Sequence, residues 1–261
     1  MIKFCNLYSG SSGNSTYIET EKSKILIDAG VSCQRISKAL NQIGVELDEI
    51  NAILITHEHI DHTKGLTTIT KKFNTPVYAT PKTWTQMSDL KINPNSVNYF
   101  SAGETFNLGD ISIHPFSIPH DAADPCAFSI TSGGKKVTVA TDLGHVENNF
   151  VDEMAGSDII LLESNYDNDT LLCGAYPYFL KKRISSDFGH LSNEAAGKLI
   201  KKLHENGVSR FVLGHLSEEN NFPELAYQTV LNELNNSKSK APFELSVANR
   251  DYIDEVIELH G

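Results

Sequence analysis

Short apolar runs alternate along the chain with segments of helical periodicity. Strands are predicted where Val, Ile and Phe cluster between polar or Gly-rich turns, at 4–8, 15–20, 24–28, 52–56, 77–79, 97–100, 105–108, 111–118, 126–131, 136–141, 159–162, 211–213 and 243–246. Helices are predicted where apolar residues recur every three to four positions, at 32–43, 63–73, 83–87, 147–154, 193–205 and 224–233. Two runs of strands, each followed by helices, predict an α/β fold with two sheets packed face to face and helices outside.

Composition is that of a globular protein. The 261 residues are 40% hydrophobic and 21% charged, and because no linker or repeat interrupts them, residues 1–261 are predicted to form one domain. No apolar run approaches the roughly 20 residues of a membrane-spanning helix, and the first residues do not resemble a signal peptide. The 4 cysteines include no C-x-x-C pair, which is typical of reduced thiols, so we expect a cytoplasmic protein without a membrane partner.

The charge balance limits the choice of partners. The chain has 22 basic and 33 acidic residues and a net charge of −11. Such a chain does not have the composition of a general nucleic-acid binder, because phosphate groups are repelled by its average charge. A phosphate-bearing substrate therefore has to be attracted locally, by a basic patch or by bound metal ions.

The strongest chemical signal directly follows the predicted strand 52–56. The run His57-Glu58-His59-Ile60-Asp61-His62 contains three of the 10 histidines of the chain. Neutral imidazole and carboxylate are the ligands that zinc and similar divalent ions prefer. Because a strand-to-helix turn directs these side chains to one place, we predict metal binding rather than a solvated polar turn.

Three more candidate ligands stand at the ends of predicted strands, and they are His120, Asp142 and His215. A single residue of this kind is usually a surface residue or a helix cap. Three of them after apolar strands favour a functional site, since side chains at strand ends approach a ligand while the sheet holds them in place.

Together these residues resemble the metallo-β-lactamase fold hydrolases. The H-x-H-x-D-H signature of that family is present in full as His57, His59, Asp61 and His62, and its later ligands match His120, Asp142 and His215 in order. The resemblance covers the whole chain and implies a four-layer αββα sandwich with two divalent metal ions at one edge. It places the first ion on His57, His59 and His120, the second on Asp61, His62 and His215, and Asp142 with a nucleophilic hydroxide between them. Zinc, manganese and iron all suit these ligands.

Two later motifs indicate a branch of this family. Glu163-Ser164-Asn165-Tyr166 and Gly189-His190-Leu191-Ser192-Asn193 resemble the Glu and His-Ser/Thr motifs of ribonuclease Z-like phosphodiesterases. With Tyr176-Pro177, Lys181 and Arg183 they are most similar to the bacterial YycJ/WalJ family, exonucleases that act 5′ to 3′ on double-stranded DNA. The segment 142–190 is too short for the cap domain of ribonuclease J-type enzymes, and the segment 62–120 contains no extended Gly/Pro-rich arm of the kind with which ribonuclease Z holds tRNA.

The resemblance also implies roles for individual residues. Asp61 would bind a metal ion and orient the hydroxide, and His190 would protonate the leaving oxygen while Glu163 fixes the tautomer of its ring. The alternative for His190 is a capping role at the following helix, where Ser192 is a strong N-cap residue.

Substrate contacts are predicted on two segments, each with a plain structural alternative. Ser11, Ser12 and Asn14 lie in a small-residue loop that either binds a phosphate through backbone N–H groups or forms a tight turn. Lys181 and Arg183 suit contacts to phosphates but also a solvated helix face. Tyr176 suits stacking on a base or ordinary packing.

The leading hypothesis is a metal-dependent phosphodiesterase that acts on DNA. The first alternative is a small-molecule hydrolase of the same fold, acting on a thioester, a lactone or a cyclic phosphodiester. Such an enzyme, if similar to glyoxalase II, does not need the pair of Glu163 and His190. The second alternative is a non-catalytic metal-binding regulator, which predicts a closed site with no open position for water.

Overall fold

The computed structural model describes residues 1–147 and 149–261. They form two compact units that are interleaved along the sequence. Unit 1 comprises Met1–Ser117, Ala122–Lys135 and Asn249–Gly261, and unit 2 comprises Ile118–Asp121 and Lys136–Ala248. The assignment of 1–261 to one domain stays a prediction.

Among the described residues, unit 1 contains ten strands, seven of which form a mixed sheet. The strands of this unit are β1 (Ile2–Tyr8), β2 (Ser15–Glu19), β3 (Lys24–Ile27), β4 (Ala52–Leu54), β5 (Val77–Ala79), β6 (Val97–Tyr99), β7 (Phe106–Leu108), β8 (Ile111–Ser117), β9 (Cys126–Ser132) and β14 (Ile257–Leu259). Seven of them form one sheet in the order β14-β1-β2-β3-β4-β5-β6, in which β3 to β6 run parallel. Strands β7, β8 and β9 pair antiparallel with one another.

The helices of unit 1 are α1 (Cys33–Gln42), α2 (Ile60–Thr63), α3 (Leu66–Phe73) and α4 (Pro81–Gln86). Helix α1 begins where the Ser32 side chain accepts a hydrogen bond from the Arg35 N–H, and it buries Ile36 and Leu40 in the core. The predicted helix 63–73 is split between α2 and α3. At the break, Gly65 donates its N–H to the Ala29 carbonyl, and a Cβ at Gly65 would lie only 2.6 Å from the Val31 carbonyl oxygen.

Unit 2 contains a parallel sheet. Its strands are β10 (Lys135–Ala140), β11 (Ile159–Glu163), β12 (Arg210–Gly214) and β13 (Glu244–Val247), paired in that order. Strand β11 is buried along its whole length, as expected of a strand covered on both faces. In register, Ala140 faces Leu162 and Glu163 faces Gly214, so the carboxyl ends of β10, β11 and β12 lie side by side.

The helices of unit 2 are α5 (Phe150–Met154), α6 (Asn168–Cys173), α7 (Tyr178–Ile184), α8 (Asn193–Glu205) and α9 (Pro223–Asn235). Helices α6 and α7 were not predicted, because each is at most 7 residues long and the pattern between them is broken by Gly174 and Pro177. The predicted helix 147–154 includes residue 148, which lies outside the described residues. Across 1–147 and 149–261, no helix has the length and apolar character needed to cross a membrane.

Candidate metal centre and catalytic residues

The histidine cluster, which we define as His57, His59, Asp61 and His62, lies in unit 1 where β4 ends and α2 begins. His57 Nε2 lies 2.9 Å from His59 Nδ1, and His62 Nε2 lies 3.4 Å from Asp61 Oδ2. The ring centroids of His57 and His62 are 4.2 Å apart. The predicted ligands of this segment are therefore brought together in one compact group of imidazole nitrogens and a carboxylate.

Asp28 holds the histidine cluster from behind, and sequence reasoning missed it. Its Oδ2 lies 2.7 Å from His62 Nδ1, and it accepts hydrogen bonds from the Thr56 N–H and the Thr56 hydroxyl, both at 2.9 Å. Burial raises the pKa of Asp28, against the lowering by His62 and Thr56. A carboxylate on Nδ1 fixes the ring of a metal-binding histidine and directs its Nε2 outward. The available signal was the position of Asp28, directly after a buried strand, as for Asp142.

Asn14 contacts the histidine cluster directly. Its Nδ2 lies 3.1 Å from His62 Nε2, and its own N–H donates to the Asp61 carbonyl at 2.8 Å. The Asn14 Oδ1 accepts a hydrogen bond from the Gly10 N–H, which ties the small-residue loop to this position. Ser11 and Ser12 lie exposed on the same loop. Of the three predicted substrate contacts, the structure thus places Asn14 beside a candidate ligand.

The carboxylate cluster lies in unit 2 and consists of Asp142, Glu163, His190 and His215. One ligand atom from each of the four lies within 4.8 Å of the others. The sheet brings three of these side chains together, because Asp142, Glu163 and His215 lie at the aligned carboxyl ends of β10, β11 and β12. His190 arrives from the loop that precedes α8.

Glu163 is the centre of the carboxylate cluster. Its Oε1 accepts hydrogen bonds from His190 Nδ1 at 2.9 Å and from His215 Nδ1 at 2.6 Å, and its Oε2 accepts from the N–H groups of Leu143 and Leu191. Burial raises the pKa of Glu163, but the charges and hydrogen bonds of His190 and His215 outweigh it and hold the pKa well below its ordinary value. A buried, ionised Glu163 therefore directs Nε2 of both rings away from itself.

His120 also belongs to unit 2 and has the geometry of a neutral metal ligand. Its Nδ1 donates to the Gly189 carbonyl at 3.0 Å, and its Nε2 lies 3.6 Å from Asp142 Oδ1. Burial lowers the pKa of His120, although the carboxylate of Asp142 raises it. Since metal ions bind the deprotonated imidazole nitrogen, an environment that keeps His120 neutral favours binding.

The donor groups of both clusters fit divalent metal ions. Each cluster combines imidazole nitrogens with carboxylate oxygens, the ligands of zinc, manganese and iron sites. Three candidate ligands, His62, His120 and His215, have Nδ1 within hydrogen-bond distance of a carboxylate or a backbone carbonyl, which orients Nε2 for coordination. Asp142 has a left-handed backbone conformation, with φ of 63°, of the kind that collects at functional sites.

The other predicted substrate contacts lie on or beside α7. Tyr176 is half-buried and packs against the small apolar cluster of Tyr166, Leu171 and Ile184. The Nζ of Lys181 donates to the Leu172 carbonyl at 2.7 Å, and Arg183 pairs with Asp121 at 2.5 Å. These contacts fix the side chains of Lys181 and Arg183, which both lie on α7.

Most of the chain is similar to two exodeoxyribonucleases. Residues 23–216 match the family described as "Beta-lactamase superfamily domain". Exodeoxyribonuclease WalJ of Streptococcus pneumoniae is 39% identical over 237 residues, which cover 89% of this chain and 88% of that protein. Exodeoxyribonuclease YycJ of Bacillus anthracis is 37% identical over 231 residues, which cover 88% of each.

The fold is shared with solved structures of much lower identity. The metallo-β-lactamase fold protein YhfI from Bacillus subtilis is similar with a TM-score of 0.73 over 98% of this chain and 100% of that one, at 16% identity. This similarity shows the fold alone. The fold class predicted from the sequence is therefore confirmed.

Proposed function

The chain belongs to the β-lactamase superfamily and, within it, to the family of the WalJ and YycJ exodeoxyribonucleases, and from this premise we propose that it removes nucleotides from double-stranded DNA in the 5′-to-3′ direction. The enzyme is a metal-dependent hydrolase. The names of both relatives support DNA as the substrate, and the family resemblance supports the polarity. Because such DNA lies in the cytoplasm of bacteria like those of the relatives, we place the activity there.

We assign two divalent ions, of zinc, manganese or iron, to the seven ligands of the family pattern, namely His57, His59, Asp61, His62, His120, Asp142 and His215. The support is the donor chemistry of the histidine cluster, of the carboxylate cluster and of His120. When bound, such ions lower the pKa of water from about 15.7 toward about 7 and offset negative charge on the phosphoryl oxygens.

The observation that carries the proposal is the contact between His190 and Glu163. Buried Glu163 accepts the Nδ1–H of His190, so the second proton of the ring resides on Nε2 when the imidazole is charged. The His190 side chain is 19% exposed, whereas Glu163 is fully buried. His190 thus has a proton to donate, a carboxylate that stabilises its charge, and access to a substrate.

These residues suffice for a balanced hydrolytic step. A water oxygen forms a bond to phosphorus, and the bond from phosphorus to the leaving oxygen breaks. The leaving oxygen takes the proton from His190 Nε2, which lowers the barrier in the manner of general acid catalysis. The proton that the attacking water gives up returns through solvent to the ring of His190, so the overall step neither gains nor loses a proton. The carboxylate of Asp61, which is 20% exposed, accepts a hydrogen bond from the attacking water and orients it.

The test is digestion of end-labelled substrates by the metal-loaded protein. Duplex DNA, single-stranded DNA and RNA are compared with manganese and with zinc, beside the Asp61→Ala variant and the matched control Asp48→Ala, which replaces an exposed aspartate. We expect stepwise loss of nucleotides from the 5′ end of the duplex by the unmodified enzyme and by Asp48→Ala. Asp61→Ala should be inactive while its circular dichroism spectrum stays that of a folded protein.

Two results would contradict the proposal. Full activity of Asp61→Ala would remove Asp61 from the catalytic machinery. If none of the three nucleic acids were cleaved with either metal, a small-molecule ester or phosphodiester would become the substrate to test.

A further inference from the structure

The helices α6 and α7 carry a group of exposed apolar side chains. Leu172 is 73% exposed, Tyr178 80% and Phe179 74%. Lys182 lies one helical turn after Tyr178, on the same exposed face of α7. We call these four residues the α7 patch. A concentrated group of exposed aromatic residues is uncommon on a protein surface and marks an interaction site.

Packing does not explain this exposure. The opposite face of α7 is well packed, since Leu180 and Ile184 contact the cluster that contains Tyr166 and Leu171. The C-terminal end of α6 is tied to α7 through the hydrogen bond from Lys181 Nζ to the Leu172 carbonyl. One face of the helix therefore packs in the core, and the exposed side chains of Tyr178 and Phe179 do not contribute to that packing.

The patch is connected rigidly to the candidate general acid. The N–H of His190 donates to the Ile184 carbonyl at 2.8 Å, in the last turn of α7, and the N–H of Gly189 donates to the Ser186 carbonyl at 2.9 Å. Tyr178 precedes Ile184 by six residues, which is roughly 9 Å along the helix axis at about 1.5 Å per residue. Stacked DNA rises by about 3.4 Å per nucleotide, so roughly three nucleotides span that distance.

The charged residues of helix α7 itself are all basic. Helix α7, Tyr178–Ile184, contains Lys181, Lys182 and Arg183 and no acidic residue, while the whole chain has a net charge of −11. Of the three, Arg183 pairs with Asp121. Aromatic rings beside cationic side chains are the surface on which unpaired nucleobases stack while the phosphates are neutralised. This charge complementarity favours a nucleic-acid strand over an apolar protein partner.

We propose that the α7 patch stacks the unpaired nucleobases at a DNA end, with Tyr178 and Phe179 as the stacking rings. The proposal rests on the proposed function for the identity of the nucleic acid. It assigns to this helix the task of holding the end of the strand while the phosphodiester near His190 is cleaved. The rings bind bases without regard to sequence, because every base has a face on which an aromatic ring can stack.

The experiment measures binding separately from cleavage. The probe is a fluorescent duplex with a single-stranded thymidine overhang at its 5′ end, made with phosphorothioate linkages that resist hydrolysis, and a second probe whose overhang is abasic. Fluorescence anisotropy gives the Kd of both probes for the metal-loaded full-length protein. The variant is Tyr178→Ala/Phe179→Ala, and the matched control is Tyr252→Ala, which removes a ring that is 76% exposed elsewhere.

We expect the double variant to bind the thymidine overhang about ten- to a hundredfold more weakly than the unmodified protein. The double variant and the unmodified protein should bind the abasic overhang with the same Kd, since no base is then available to stack. Tyr252→Ala should behave as the unmodified protein with both probes. A double variant that loses the same affinity for both probes, or for neither, would overturn base stacking.

Two more outcomes separate this inference from its alternatives. If sedimentation shows that the double variant dissociates a dimer of the unmodified protein, and the Kd values do not change, the patch is an interface between copies and the inference is wrong. If the unmodified protein cleaves no nucleic acid, yet the base-dependent loss of affinity occurs, the proposed function falls and the stacking surface stands.

Discussion

At the level of single residues, one buried carboxylate orients the imidazole rings in each of the two clusters. Asp28 fixes the ring of His62, and Glu163 fixes those of His190 and His215. Each carboxylate also accepts backbone hydrogen bonds, so each is held independently of the rings that it orients. Each of these histidine rings is therefore held in one orientation. We expect that removing a ring and removing the carboxylate that orients it change catalysis in different ways.

His190→Ala should slow DNA hydrolysis by about 10²–10⁴-fold, because the leaving oxygen then lacks a positioned proton donor. The number of metal ions bound per chain should stay close to that of the unmodified enzyme, since His190 is not among the assigned ligands. Single-turnover kinetics and metal analysis of the same preparation measure both quantities. If His190→Ala lost its metal, the residue would be a ligand rather than the acid.

Glu163→Gln tests the partner of that acid. The amide keeps the shape of the side chain but removes the negative charge beside the proton donor, so we expect kcat to fall and the alkaline limb of the pH–rate profile, on which a general acid loses its proton, to shift to lower pH. The shift follows because a neighbouring carboxylate favours a protonated imidazole, and Glu163→Gln removes that carboxylate. A profile identical to that of the unmodified enzyme would show that Glu163 has a purely structural role.

At the level of elements, the carboxyl ends of parallel strands decide where the functional groups lie. Asp28 follows β3 and His57 follows β4 in unit 1, while Asp142 and His215 follow β10 and β12 in unit 2. The loops after such strands have left-handed residues at the turn, with φ of 63° at Asp28 and Asp142 and 55° at His215. The strained turns place the side chains, and the parallel ladders hold the turns in register.

The junction between α7 and His190 depends on Gly189, which has no room for a side chain. A Cβ at this position would collide with the carbonyl oxygens of Arg183 and Ile184. Gly189→Ala should therefore displace the loop, lower the free energy of unfolding by about 1–3 kcal/mol and reduce kcat. Urea denaturation and steady-state kinetics measure the two effects, with Ala175→Ser as the control on an exposed position of the same segment. Unchanged values would mean that the loop adapts freely.

For the whole molecule, metal binding and stability are linked. Ions that bind the folded chain alone raise the free energy of unfolding by about 2.7 kcal/mol at a hundred times Kd. For a protein of this size that corresponds to an increase in Tm of about 5–10 °C. Calorimetry with and without manganese or zinc should show this increase for the unmodified protein and for Asp48→Ala, and a smaller one for Asp142→Asn. An equal Tm with and without metal would contradict the assigned ligands.

Local periodicity and neighbouring residues were enough to predict the alternation of strands and helices, the strand-to-helix turn from His57 to His62, and the positions of His120, Asp142 and His215 at strand ends. They did not indicate α6 and α7, whose few turns carry too weak a pattern. Two contacts could not be predicted in this way: Asp28 lies against His62, 34 residues away, and Glu163 lies against His215, 52 residues away. Those contacts depend on which strands pair and in which register, and the free energy that selects the register is spread over the whole buried core rather than held in any one segment.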